Sequence, residues 1–274
     1  MPELPEVETI KNDLRPVLAG HTIVGATVDW DGCIDRPSVE ELGRQIAGRR
    51  IEDVQRRGKF LILALSGGKA LLVHLRMTGR LLVEKAAAPR QVHTRLSLAL
   101  DNGYELRFVN MRKFGRVYLV DDPQEVLAGL GPEPLDEDFG TDDFCALCSS
   151  RRGMIKPLLL NQRFIAGLGN IYVDEALFQA RLHPRRKVNT LTRQELTRLR
   201  HSIRTVLRQA IEDGGTSLTD YRRPDGGEGT HQEQLLVFRR AEEPCPRCGT
   251  TIERIVVGGR GTFICPRCQE APRP

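Results

Sequence analysis

The sequence predicts an α+β protein, with a helix and a β-rich half first, a helical half next, and a metal-stapled β-hairpin at the end. Three observations carry this. Val7, Ile10, Leu14 and Val17/Leu18 recur at three- and four-residue spacing, which makes one face of a helix from about Pro5 to Gly20. From Thr22 to about Val120 the chain turns to short β-rich runs: Ile51 to Val54, Phe60 to Leu65, Ala70 to Leu75, Leu96 to Leu100 and Tyr104 to Val109. Turn signals such as Ser66-Gly67-Gly68 and Asp101-Asn102-Gly103 separate them, the pattern of an antiparallel sandwich or barrel. From Phe144 to about Glu212 helical periodicity returns, broken at Ala166 to Asn170 and at His183-Pro184.

The 274 residues are enough for two domains with buried cores, and 40% hydrophobic with 28% charged residues describes a globular chain. No apolar run approaches the roughly 18 residues of a membrane span and no signal peptide opens the chain, so the expected location is cytoplasmic, without a membrane partner. The net charge of +5 is unevenly spread. Residues 181 to 208 hold nine Lys/Arg against Glu195, a density suited to phosphate backbones or to a solvated helix face. Residues 131 to 143 hold six acids and no Lys/Arg, and read as an interdomain linker. The glycine-rich stretch 213 to 234 reads as a long functional or disordered loop.

Two stretches carry chemistry most directly. Cys245-Pro-Arg-Cys248 and Cys265-Pro-Arg-Cys268, sixteen residues apart, present four thiolates to one closed, structural zinc ion. Between them Gly258-Gly259-Arg260-Gly261 is the tip of a β-hairpin, where the fork of Arg260 can meet a phosphate. Cys145 and Cys148 have no second pair and read as reduced thiols on a helix face. At the other end stands Met-Pro-Glu-Leu-Pro-Glu-Val-Glu. With Met1 removed, Pro2 is a terminal secondary amine titrating near ~8, a nucleophile able to form Schiff bases beside Glu3, Glu6 and Glu8. Taken alone, Pro2 and Pro5 fit equally a stiffened helix entrance. Lys59 at a strand start, Met77 at a turn, and Arg112 with Phe114 in a loop are candidate proton donor, apolar wedge, base-edge reader and stacking ring, each with a plain structural alternative.

In this order the motifs resemble the bacterial formamidopyrimidine-DNA glycosylase (8-oxoguanine DNA glycosylase and abasic-site lyase) family. The resemblance spans essentially the whole chain: Pro-Glu-Leu-Pro-Glu-Val-Glu-Thr at 2 to 9, Arg-Arg-Gly-Lys at 56 to 59, His-Leu-Arg-Met-Thr-Gly at 74 to 79, Arg-Lys-Phe-Gly at 112 to 115, Gly-Leu-Gly-Asn-Ile-Tyr at 167 to 172, and the zinc hairpin. It implies an N-terminal helix with an antiparallel β-sandwich as catalytic domain (1 to 130), the acidic linker (131 to 143), a helix-two-turn-helix domain with a lesion-capping loop (144 to 234) and a zinc finger (235 to 274), with double-stranded DNA bound in the cleft between the domains. It implies Pro2 as nucleophile at C1′, Glu3 as proton donor, Lys59 in β-elimination, and Arg260 in δ-elimination and phosphate binding. Met77, Arg112 and Phe114 match the positions that fill the space left by an extruded base. His74, His93, Arg152, Lys156 and Asn170 match positions that grip the backbone. One zinc ion, monomeric action and association with the nucleoid belong to the same expectation.

The chain departs from the family pattern at Asn110-Met111, where an acid and proline are usual, at Val237-Phe238-Arg239-Arg240, and at Thr230-His231, where an aromatic pair is usual. The neighbouring alternative is the endonuclease VIII branch, specific for oxidised pyrimidines; Leu4 and the full Met77/Arg112/Phe114 set favour the purine branch. A non-catalytic protein that binds damaged DNA is the alternative of another class.

Overall fold

The computed structural model describes residues 1–218 and 221–272. Contacts divide the chain into two compact units, Met1–Ala128 with Asp213–Gln232, and Gly129–Glu212 with Glu233–Pro274.

The first unit opens with α1 (Leu4–Leu18), whose Leu4, Val7, Ile10, Leu14 and Leu18 form the buried stripe that their spacing predicts. Then follow β1 (Ile23–Val28), β2 (Ile34–Arg36), α2 (Val39–Ile46), β3 (Ile51–Arg57), β4 (Phe60–Leu65), β5 (Lys69–His74), β6 (Gly79–Lys85), β7 (Thr94–Leu100), β8 (Tyr104–Asn110), β9 (Arg116–Val120) and α3 (Gln124–Leu127). They form a four-stranded sheet, β1-β7-β8-β6, and a five-stranded sheet, β2-β9-β5-β4-β3. Every pairing is antiparallel except the three-residue edge strand β2, which runs parallel to β9. Leu61, Leu63, Leu71 and Val73 of one sheet, Leu96, Leu98, Leu106 and Phe108 of the other, and Val7, Ile10 and Leu14 of α1 share one core. Each such side chain contributes roughly 1.5–3 kcal/mol by leaving water. The helix α2 has no counterpart in the sequence reading, because its eight residues bury only Leu42 and Ile46, too few to show a period.

The second unit contains α4 (Thr141–Ser149), α5 (Ile155–Leu160), α6 (Asn170–Gln179), α7 (Arg193–Glu212), and the hairpin β10 (Glu253–Val257) with β11 (Arg260–Ile264). The breaks read at 166 to 170 and at 183 to 184 fall between α5 and α6 and between α6 and α7. No helix among the described residues is long and apolar enough to cross a membrane.

Two stretches differ from their sequence reading. The acidic segment read as a linker is packed within the second unit: Arg204 donates to Pro134 O (3.1 Å), Asp136 O (2.8 Å) and Glu137 (2.9 Å), and Arg208 also reaches Glu137 (3.0 Å). The basic run and the acidic run therefore satisfy each other in part. Residues 213 to 232 follow α7 in sequence, which groups them with the helical half, yet they belong by contact to the first unit. Arg223 grips Asp13 of α1 with two hydrogen bonds of 2.8 and 2.7 Å, and Tyr221 sits in the first unit's core. Of that loop, Thr219 and Asp220 lie outside the described residues.

Candidate active site and metal centre

The start of α1 is enclosed rather than frayed: Pro2, Glu3 and Glu6 are all buried. Glu6, three residues beyond Glu3, accepts a hydrogen bond from Glu3 N–H (2.7 Å), the return half of a capping box. Its other oxygen accepts from Thr216 N–H (2.9 Å) in the loop of the same unit. One carboxylate thus fixes both the terminus beside Pro2 and the loop over it. Glu8 has a structural task, pairing with Lys11 and with Arg56 Nε of β3 (2.7 Å). Burial raises its carboxyl, and these two cations outweigh that and hold it below the usual range.

Lys59 lies in the two-residue turn joining β3 to β4, after Gly58, whose φ of 57° suits the first central position of such a turn. That turn is buried: Lys59 is 6% exposed. The register places Phe60 opposite His74, with the rings edge to face at 4.6 Å. Burial, assisted by the charges of Arg76 and Lys59, lowers His74 to about 3, so its imidazole is neutral at physiological pH. The Nδ1 atom of His74 accepts from Arg76 N–H (3.0 Å), which directs Nε2 as the donor.

The turn after β5 and the loop after β8 are brought side by side by the β6–β8 pairing of Gly79 with Asn110. Thr78 donates its hydroxyl to Asn110 Oδ1 (3.2 Å) and accepts from Arg112 N–H (3.1 Å). A Cβ on Gly115 would stand 2.4 Å from Phe108 Cζ and 2.5 Å from Asn110 Nδ2, so only glycine lets the chain close there. The result presents apolar and cationic tips outward: Met77 is 40% and Phe114 49% exposed, and the Arg112 guanidinium lies 5.1 Å from the Phe114 ring centroid. His93 is half-buried nearby, its carbonyl accepting from Asn110 N–H (2.9 Å) and its ring meeting Arg95 (3.3 Å).

In the second unit Arg260 is exposed at the start of β11. Asn170, first residue of α6, donates to Gly261 O (2.9 Å), which sets a helix N-terminus beside that arginine. Arg152 is exposed ahead of α5. Lys156, expected to grip the DNA backbone, is fully buried and pairs with Asp174 (2.6 Å).

The four cysteine sulfurs lie within 4.8 Å of one another, with separations of 3.9 Å (Cys245–Cys268), 3.4 Å (Cys248–Cys265) and 3.5 Å (Cys248–Cys268). A tetrahedral ion with Zn–S of about 2.3 Å requires S···S of about 3.8 Å, so the tetrad fits one zinc ion. Arg247 N–H and Cys268 N–H point at Cys245 Sγ and Cys265 Sγ (3.4 and 3.5 Å), which supports thiolate ligands. Cys145 and Cys148 lie on α4, and burial raises Cys148 to about 12.

Three family models match in succession: the formamidopyrimidine-DNA glycosylase N-terminal domain over residues 1–117, its H2TH domain over 130–222, and the zinc finger found in FPG and IleRS over 242–271. The chain belongs to the formamidopyrimidine-DNA glycosylase family. A formamidopyrimidine-DNA glycosylase of Herpetosiphon aurantiacus is 48% identical over 98% of this chain and 100% of its own. One of Chloroflexus aurantiacus is 49% identical over 98% of each. Among solved structures, Lactococcus lactis Fpg in complex with DNA containing an abasic site superposes with a TM-score of 0.92 at 36% identity, covering 98% of this chain and 100% of that one. The MutM (FPG) protein of Thermus thermophilus superposes at 0.89 with 44% identity, covering 99% and 100%. This glycosylase is thus a zinc-finger enzyme of DNA repair, with the family's fold.

Several working residues gave no signal on their own in the sequence. Glu6 was visible as a carboxylate, and its three-residue spacing from Glu3 was the available clue to its capping role. Asp13, Tyr221 and Arg223 meet only through tertiary contact. The same holds for Glu175 of α6, which accepts from the backbone N–H groups of Leu236 (2.9 Å), Val237 (3.0 Å) and Phe238 (2.8 Å).

Proposed function

We propose that this glycosylase is bifunctional: it extrudes oxidised purines, 8-oxoguanine and formamidopyrimidines, from duplex DNA, excises them and cleaves the strand. The observation that carries this reading is the enclosed start of α1, where Glu6 holds the chain beside Pro2 and Glu3 through Glu3 N–H and Thr216 N–H. Once Met1 is removed, the Pro2 amine attacks C1′ of the extruded nucleotide. The C1′–base bond breaks with its electron pair on the base, which takes up the proton that the amine gives up; Glu3 then protonates O4′, the C1′–O4′ bond breaks, the sugar ring opens and the iminium forms. Loss of the C2′ proton, assisted by Lys59, then breaks C3′–O3′. Loss of the C4′ proton breaks C5′–O5′, and the Arg260 fork faces the departing phosphate.

Extrusion costs a few kcal/mol in lost stacking. Met77, Arg112 and Phe114 are the groups that occupy the gap, with Arg112 facing the orphaned cytosine. His74, His93, Arg152 and Asn170 serve the DNA backbone, and Lys156 serves it through the hairpin it anchors. The zinc ion is structural. The protein acts as a monomer in the cytoplasm, in association with the nucleoid.

Borohydride trapping on a duplex with 8-oxoguanine opposite cytosine tests this. A covalent adduct is expected, lost in Pro2→Gly and in protein that retains Met1. Absence of an adduct from the processed protein would leave a non-catalytic DNA-binding protein. Preferential excision of thymine glycol would move the assignment to the endonuclease VIII branch.

A further inference from the structure

The exposed arginine at the hairpin tip is backed by an enclosed polar cluster. The Lys156 ammonium is 2.6 Å from Asp174 Oδ1, with both side chains fully buried. It also donates to Thr262 Oγ1 (2.8 Å) and toward Gly261 O (3.3 Å). The Thr262 hydroxyl in turn donates to Arg260 O (3.0 Å), so a chain of two hydrogen bonds runs from the buried ammonium to the arginine's own backbone. Asp174 Oδ2 accepts from Phe263 N–H (3.1 Å), and Asn170 Nδ2 donates to Gly261 O. On the other side of the turn Gly258 stands against Pro157, which a Cβ would approach to 2.7 Å.

We propose that Asp174 and Thr262, acting with Lys156, are positioning residues for Arg260 in strand cleavage, an inference that rests on the role given to Arg260 above. A buried ion pair adds little stability over an apolar filling of the same volume. What this pair supplies is direction. The ammonium donates to three oxygens at once, and two of them belong to the residues immediately after Arg260. Asp174 holds the ammonium in that orientation and ties down Phe263 with its second oxygen. The guanidinium then approaches the phosphate leaving from C5′ on a backbone that is fixed at residues 260 to 263. A displacement of about 1 Å in such a group costs on the order of a hundredfold in rate.

The test uses the full-length, zinc-loaded, Met1-processed protein and a duplex with 8-oxoguanine opposite cytosine. Asp174→Asn and Thr262→Val are compared with wild type and with Arg260→Ala for zinc content, borohydride trapping, and the ratio of δ- to β-elimination product. Both variants are expected to keep their zinc and to trap like wild type, while the δ-to-β ratio falls by about tenfold or more, toward that of Arg260→Ala. Wild-type ratios in both would overturn the proposal. A wild-type ratio in Arg260→Ala would overturn instead the role of Arg260 on which it rests. If Asp174→Asn fails to fold, Thr262→Val decides, since it removes one hydroxyl and keeps the volume; an unchanged ratio there is sufficient refutation.

Discussion

The arginines of α7 and the arginine after β8 meet opposite surroundings. Arg204 is buried and aimed at the carbonyls of Pro134 and Asp136 and at Glu137, and Arg200 reaches Phe139 O. Arg112 is exposed above Phe114, and its backbone N–H rather than its side chain is held by Thr78. The helix has the greater density of positive charge and the loop the more available one. Charge counted along a sequence measures supply; availability depends on whether an acidic or carbonyl-rich segment folds onto it. Of the six acids upstream of α7, Glu137 meets Arg204 and Arg208, and Asp142 meets Arg193. Around Arg112 the neighbours are Met111, Lys113 and Phe114, all exposed, with no acid among them.

Removing the metal should have the largest effect on the second unit. Its hairpin rests on a small apolar cluster of Phe178, Val237 and Ile252 with the cysteines themselves, and structural zinc contributes on the order of 10 kcal/mol in comparable sites. Chelation or Cys248→Ser is expected to abolish hydrogen-exchange protection at 253 to 264 and to weaken DNA binding, while β4 and β5 stay protected. Protection of the hairpin in the metal-free protein would refute the structural role.

Arg204→Ala comes next. It leaves the buried Pro134 carbonyl without its donor and frees the more exposed Asp136 carbonyl, and a loss of about 1–3 kcal/mol in urea unfolding is expected. The salt dependence of DNA binding should not change, because this guanidinium already has internal partners. A reduced salt slope would show that α7 meets phosphate after all.

Arg112→Ala should do the reverse. Affinity for 8-oxoguanine opposite cytosine is expected to fall by about 1–3 kcal/mol in a binding titration, with stability within about 0.5 kcal/mol of wild type. A larger loss of stability would mean that the loop is structural.

Close to neutral pH the smallest effect is that of pH itself. His74 is lowered to about 3, below its ordinary 6.5, so between these values the unfolded chain binds a proton that the native state refuses. Stability on this account is full above 6.5 and declines as pH falls toward 3, by at most about 1.4 kcal/mol per pH unit. His74→Gln should flatten the pH dependence of the urea midpoint between 6.5 and 5; an unchanged slope would place the His74 pKa near its ordinary value.

Much of the molecule was legible because its signals are local. The α1 stripe, the strand runs with their turns, the helical breaks and the cysteine spacing each occupy a short window, and each stands where it was read. Met77, Arg112 and Phe114 lie in a turn and a loop, and their exposure follows from the close approaches that Gly79 and Gly115 permit. The rest depended on partners far along the chain. Asp13 meets Arg223 across 210 residues, Lys156 meets Thr262 across 106, and Arg204 meets Pro134 across 70. A carboxylate or cation carries no mark of such a partner in its neighbourhood.

The sequence by itself determined the kinds of group present and their local presentation: a proline followed by glutamate at the head of an amphipathic helix, a four-thiolate metal site, and an arginine at the tip of a glycine turn. Tertiary structure decided which of these groups face outward and which are held inside. It docked residues 213 to 232 onto the first unit, enclosed Lys156 with Asp174 behind Arg260, and folded the acidic stretch onto the arginines of α7. The reason is physical: periodicity and turn chemistry act over a few residues, whereas a buried charge is tolerated only where the whole fold supplies its counter-charge and hydrogen bonds.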